Sequence, residues 1–142
     1  FALPMAWAAW NRSQLGWPDA AGLSIWAIGI TGEAVADHQL RRFRASAASS
    51  GRVCDQGLWR YSRHPNYFFE WIHWFAYVCF AAGGDGRWLA LLGPAVMLWF
   101  LLKVTGIPLL EQRLLESRGE AYREYQRATS AFIPWPPRRN SA

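Results

Sequence analysis

Fifteen consecutive residues, WLALLGPAVMLWFLL from Trp88 to Leu102, carry no charge. A run of this kind must be covered by protein or lipid, and it sits between a tight polar turn, GGDGR, and a charged segment that begins after Pro108. Continued through Lys103–Ile107, it reaches about 30 Å as a helix, the thickness of a bilayer's hydrocarbon core. Pro94 falls inside it. Membrane helices tolerate proline, and a kink is expected there.

The rest of the chain divides in the same way. Of its 142 residues, 52% are hydrophobic and 10 are tryptophan, yet the mean hydropathy is only -0.06. That average mixes apolar stretches with polar loops, as in an integral membrane protein. The segment AAGLSIWAIGITGEAVADHQL predicts a first span over residues 20–40, with Asp19 as its N-cap. NYFFEWIHWFAYVCFAA predicts a second over 66–82, with Pro65 in its first turn. The uncharged run gives a third, over 88–107. From 109 to 128, LLEQRLLESRGEAYREYQR alternates apolar and charged positions at helical spacing and predicts an amphipathic helix on the membrane surface, with Gly119 as a breaking point. The fold expected is all-α: a polytopic helical bundle forming one membrane domain over 1–142, with a C-terminal amphipathic helix.

Basic residues orient it. Thirteen of the fifteen Lys and Arg lie in the 41–63 loop or in the segment from Lys103 onward. The positive-inside rule then puts that loop and the C-terminus in the cytoplasm, and three spans alternate correctly to do so. The net charge of +5 belongs to arginines beside apolar spans, so nucleic acid is not expected as a partner; the bilayer is. The opening FALPMAWAAW has neither the basic region nor the cleavage site of a signal peptide. It reads as the end of an earlier apolar segment, with the chain as the C-terminal part of a longer protein. Cys54 lies in a basic loop and Cys79 in an apolar run, and no disulfide is expected between them.

Two sets of polar residues invite a chemical reading. Glu33, Asp37, Arg41 and Arg44 share one helical face, at i, i+4, i+8 and i+11. They form either a self-neutralising ladder or a ligand wall, and the cost of a carboxylate two turns inside a span favours the ligand. Asn66, Glu70, His73 or Trp74, and Tyr77 share a face of the second span, as polar glue between helices or as the opposite wall. Arginines at the mouth suit a phosphate-bearing ligand. Tyr122 and Tyr125, at i and i+3, either stack on an adenine or sit at headgroup level. No metal site is expected from His38, His64 and His73, and neither a Gly-rich phosphate loop nor a dinucleotide fingerprint is present.

The stretches GLWRYSRHPNYFFEW and GIPLLEQRLLESRGEAYREYQRATSAFIPWPP resemble the C-terminal domain of the steroid 5α-reductase family, most closely its bacterial membrane branch, DUF1295. The resemblance runs from about Gly32 to Pro137. It implies a bacterial inner-membrane protein with an NADPH pocket at the cytoplasmic helix ends, reducing a carbon–carbon double bond of a lipid- or steroid-like hydrophobic substrate. Asp37, Arg41 and Arg44 match the family's acidic-then-basic helix end. Asn66 and Glu70 match its N-x-x-x-E pattern and Trp74 a tryptophan one turn on. Tyr67 belongs to the same motif, Arg63 and His64 would assist phosphate binding or order the loop, and Glu111, Tyr122 and Tyr125 lie in the terminal cofactor-contacting segment. Glu33 replaces an asparagine, and Phe69 replaces a glycine and would narrow the site. The catalytic Glu and Tyr of the family come from N-terminal helices, which this chain does not match; those helices would be partners and the isolated chain inactive. The R-H-P-x-Y core is also similar to that of isoprenylcysteine carboxyl methyltransferases. There the same pocket would hold S-adenosylmethionine, with Glu70 or Glu111 near its adenosine or amino group. A third reading is a non-catalytic helical membrane module.

Overall fold

The computed structural model describes residues 16–46, 49–84, 87–104 and 106–138. The apolar opening segment, Asp85 and Gly86 of the GGDGR turn, and Arg139 lie outside the described residues. Every regular element described is helical, and the one β-type contact is an isolated bridge between Ser62 and Ser130.

Helix α1, Trp17–Ala45, is longer at both ends than the sequence pattern predicts. Its N-cap is Gly16 rather than Asp19. Asp19 stands three residues in and accepts the Gly16 N–H at 2.8 Å, so it satisfies the terminus from inside the first turn. Helix α2, Pro65–Phe80, begins at the proline, whose missing N–H costs nothing there. The uncharged run is not one uniform helix. A 3₁₀ turn at Arg87–Leu91 leads into α3, Leu92–Trp99, which ends in a π turn, Phe100–Val104. Pro94 therefore lies in the first turn of α3 and breaks no mid-helix hydrogen bond. Helices α4, Ile107–Arg118, and α5, Glu120–Ala128, replace the one expected surface helix. The break is Gly119 at φ +54°, a value that glycine adopts without strain.

Helices α1 and α2 pack antiparallel at close range. Gly22 meets the Phe80 ring, Gly29 the backbone and Cβ of His73, and Gly32 the ring of Phe69. A Cβ at Gly29 would stand 2.5 Å from the His73 Cβ, so only glycine permits this approach. At Gly32, the missing side chain leaves the space that the Phe69 ring occupies. Trp71 then ties α2 to α3 by donating its indole N–H to the Pro94 carbonyl at 3.0 Å. Leu101, Ile107 and Phe132 form the buried cluster beneath, packed against Tyr67, Phe68, Trp71, Met97 and Leu98. Phe132 comes from the C-terminal tail, so the tail closes the core.

One run, Arg87–Arg118, whose described residues are mainly helical, is long and apolar enough by length and composition to cross a membrane. Large apolar side chains stand exposed on α1 and around α3, among them Trp17 at 82% and Trp88 at 65%.

Candidate functional site

The loop that enters α2 is held by the C-terminal tail. The Arg63 N–H donates to the Ser130 carbonyl at 2.8 Å, and the Trp135 N–H to the Tyr61 carbonyl at 2.9 Å. The Ser62 hydroxyl donates to the Phe132 carbonyl at 2.8 Å and accepts the His64 N–H at 3.1 Å. Trp59 reaches the other way, its indole N–H on the Ala36 carbonyl of α1 at 2.9 Å. The Tyr125 hydroxyl donates to the Trp59 carbonyl. The R-H-P-N-Y segment is thereby pinned between α1 and the tail.

Glu111 is the hub of this region. Its Oε1 accepts from Arg63 Nε and Nη2, each at 2.7 Å, and lies 3.3 Å from His64 Nε2 and from the Tyr122 hydroxyl, which donates to it. Its Oε2 accepts from Gln126 Nε2 at 2.9 Å. Arg63 Nη1 turns to the Gln126 and Thr129 carbonyls at the end of α5, at 3.0 and 2.6 Å. Burial pushes the Glu111 carboxyl up, but the hydrogen bonds from His64 and Arg63 and the guanidinium charge outweigh it and hold the group at about 2. Burial, reinforced by the Glu111 charge, pushes the Tyr122 phenol up, and burial does the same for Tyr125. His64 is 1% exposed, its ring stacked on Tyr67 at 5.6 Å, and its Nδ1 is buried without a partner. Tyr122 and Tyr125 are both buried, with their hydroxyls turned inward.

The second polar region lies where α1 and α2 face each other. The antiparallel register sets Asp37 and Glu33 level with Tyr67 and Glu70, and Glu70 lies within electrostatic range of both α1 acids. Arg41 and Arg44 follow one and two turns on, both exposed. The self-neutralising ladder does not form: among the described residues, Glu33, Asp37, Glu70, Arg41 and Arg44 take part in no ion pair. Three acids thus face one another, whereas Arg44 lines a separate small cavity with Cys54, His64, Tyr122 and Tyr125. Phe69 turns its ring onto Gly32. Asn66 and Trp74 are half-buried on α2, and the structure brings them to the same helix as Glu70.

The residues anticipated from sequence therefore fall into two groups. Asp37, Tyr67 and Glu70 come together between α1 and α2. Arg63, His64, Glu111, Tyr122 and Tyr125 come together in the tail staple. His64 and Tyr67 touch, and so join the two. Sequence reasoning missed Ser62, Gln126, Thr129 and Trp59, which complete the staple. The polar run QRATS between a helical pattern and a proline-rich tail was the available signal. Cys54 and Cys79 are free thiols, and burial pushes the Cys54 thiol up.

Residues 1–129 match the family described as "Protein of unknown function (DUF1295)". The chain belongs to that family. No curated protein and no solved structure matches it. In this DUF1295 chain the R-H-P-N-Y and Y-R-E-Y-Q-R-A-T-S segments are two halves of one hydrogen-bonded joint.

Proposed function

We propose that this chain is the cofactor-holding portion of a membrane-embedded, NADPH-dependent reductase acting on a carbon–carbon double bond of a lipid- or steroid-like substrate, related to the steroid 5α-reductases. On this reading α1, α2 and the α3 region span a bacterial inner membrane, with the C-terminus cytoplasmic and the exposed apolar side chains against lipid or further helices of the parent protein. The observation that carries the reading is the α1–α2 face, where Asp37, Tyr67 and Glu70 converge with no ion pair to satisfy them, and Arg41 and Arg44 follow further along α1.

The residues fit the cofactor's chemistry. Arg41 and Arg44 would take phosphate oxygens with their planar forks. Asn66 and the carboxylates of Asp37 and Glu70 would accept and orient amide and hydroxyl donors, with Trp74 one turn beyond. When bound, the cofactor supplies a hydride. Glu111 and Arg63 neutralise one another, so their work is to hold the loop that presents Asn66 and Tyr67. His64 completes that support, and Tyr122 and Tyr125 brace it from α5.

A second reading has an observation of its own. Three facing acids with no cation between them suit a positively charged ligand, as the sulfonium and ammonium of S-adenosylmethionine would be in a methyltransferase of the isoprenylcysteine carboxyl type. A thermal-shift titration of the protein in detergent separates the readings. Stabilisation by NADPH, reduced in Arg44→Ala and Asn66→Ala, is expected. Stabilisation by S-adenosylmethionine alone sinks the reductase reading, and no response to either, or to NADH, leaves a non-catalytic helical module.

A further inference from the structure

A cavity of about 320 Å³ opens between the end of α5 and the C-terminal tail, away from the α1–α2 face. Its size falls at the lower end of small-molecule sites. The backbone around it is pinned at three points: Arg63 N–H to the Ser130 carbonyl, Trp135 N–H to the Tyr61 carbonyl, and Arg138 N–H to the Ala128 carbonyl. The cavity is therefore part of the fold rather than a gap beside a loose tail.

Its chemistry is basic. Arg127 and Arg138 line it and are exposed. A helix C-terminus normally repels an anion, but Arg63 covers the Gln126 and Thr129 carbonyls and the Arg138 N–H covers that of Ala128. Two lining arginines are paired: Arg63 is held by Glu111 at 2.7 Å, whereas Arg127 stands 2.8 Å from Glu120 with both side chains about 60% exposed. The exposed pair contributes little and exchanges readily for a stronger anion. One wall is Trp135, 68% exposed, with Ile133 exposed two residues earlier in the extended tail. An indole and an aliphatic side chain facing outward beside two arginines form the pattern that proteins present at a lipid headgroup layer.

We infer that this cavity binds the phosphate of an anionic phospholipid headgroup, with Arg127 and Arg138 on the phosphate and Trp135 and Ile133 set among the adjoining acyl chains. The assignment rests on the membrane reading above, but not on the identity of the cofactor.

The test uses purified protein in a neutral detergent, titrated with short-chain phosphatidylglycerol or phosphatidylcholine and followed by thermal shift. Each arginine near an anionic surface is expected to contribute about fivefold in affinity. The native chain should prefer phosphatidylglycerol by more than about tenfold, and Arg127→Gln/Arg138→Gln should lose that preference. Arg113→Gln, an exposed arginine outside the cavity, should keep it, as should a control with NADPH present. Equal response to both lipids, or an unchanged preference in the double variant, overturns the site. Inorganic phosphate that stabilises as well as phosphatidylglycerol at equal concentration overturns the lipid as its source. Carbonate extraction of cell membranes tests the membrane reading separately: an extractable chain contradicts that reading, whereas an integral chain without headgroup preference contradicts the site alone.

Discussion

The two polar regions of this chain treat charge in opposite ways. In the tail staple, the Glu111 carboxylate has partners on both oxygens and Arg63 is engaged through Nε, Nη1 and Nη2. Between α1 and α2, three acids stand without an ion pair, as do Arg41 and Arg44 further along α1. If the α1–α2 face is the proposed ligand wall, this difference separates scaffold from ligand surface. Glu111 and Arg63 hold position. Asp37, Glu70, Arg41 and Arg44 are available to something else.

Breaking the staple should have the largest effect. Arg63→Ala leaves the Glu111 carboxylate, 16% exposed, without its main cation, and Glu111→Ala strands the guanidinium. Each should destabilise by up to about 3 kcal/mol, below the roughly 3–5 kcal/mol of a fully buried pair because this one is partly open to solvent. Denaturant titration in detergent measures this. A loss below about 1 kcal/mol for both variants would mean that the staple is not the scaffold.

Acid should weaken the same joint more gradually. The Glu111 carboxyl is held at about 2 in the folded chain, against an ordinary value of 4.5. The unfolded chain therefore binds more protons between those values. The stabilisation is present in full above about pH 4.5 and is lost as pH falls toward about 2. At about 1.4 kcal/mol per unit, the loss approaches 3 kcal/mol. Comparing Glu111→Gln with the native chain from pH 6 to 3 isolates it: the variant should lack this part of the pH slope.

The contact between α1 and α2 offers a cycle. Gly32→Ala drives a methyl group into the Phe69 ring and should cost about 1–3 kcal/mol, as overpacking does. Phe69→Ala empties the same space, and the double variant should recover part of the loss, giving a coupling of about 1 kcal/mol or more. Strict additivity would show that the ring does not depend on the glycine.

Much of this was legible beforehand, for physical reasons that differ by element. Helix α2 could be placed because Pro65 marks its start and a mostly apolar run, carrying only Asn66, Glu70 and His73 as strongly polar residues, follows. Alternating spans already implied an antiparallel α1–α2 pair, but its close contacts were harder to foresee, because three glycines within an apolar helix do not announce which side chains will fill their space. The role of Phe69 therefore emerges only with Gly32 beside it: the bulk absent from one helix is supplied by the other. The uncharged run was read as one span, whereas its backbone changes from 3₁₀ to α to π along its length. Hydropathy reports burial, not hydrogen-bond pattern. Glu111 was grouped with the cofactor contacts, yet its partners Arg63, His64 and Gln126 come from 15 to 48 residues away, a pairing that spacing along one helix does not encode.

The smallest expected change in stability bears most directly on function. Asp37→Asn or Glu70→Gln removes one of three like charges that face each other with no cation among them. Neither side chain has a hydrogen bond or ion pair to lose among the described residues. Stability without ligand should therefore stay within about 1 kcal/mol of the native value, or rise slightly as repulsion is relieved. Glu111→Gln would not share this tolerance, because its carboxylate charge is in use. If the α1–α2 face is the ligand wall, the same two variants should lose most of the stabilisation conferred by NADPH or by S-adenosylmethionine, whichever the native chain binds. A stable fold with weakened ligand response is the signature of residues kept for a partner. A marked loss of stability in Glu70→Gln would instead place it with Glu111 in the scaffold, and the contrast between the two regions would disappear.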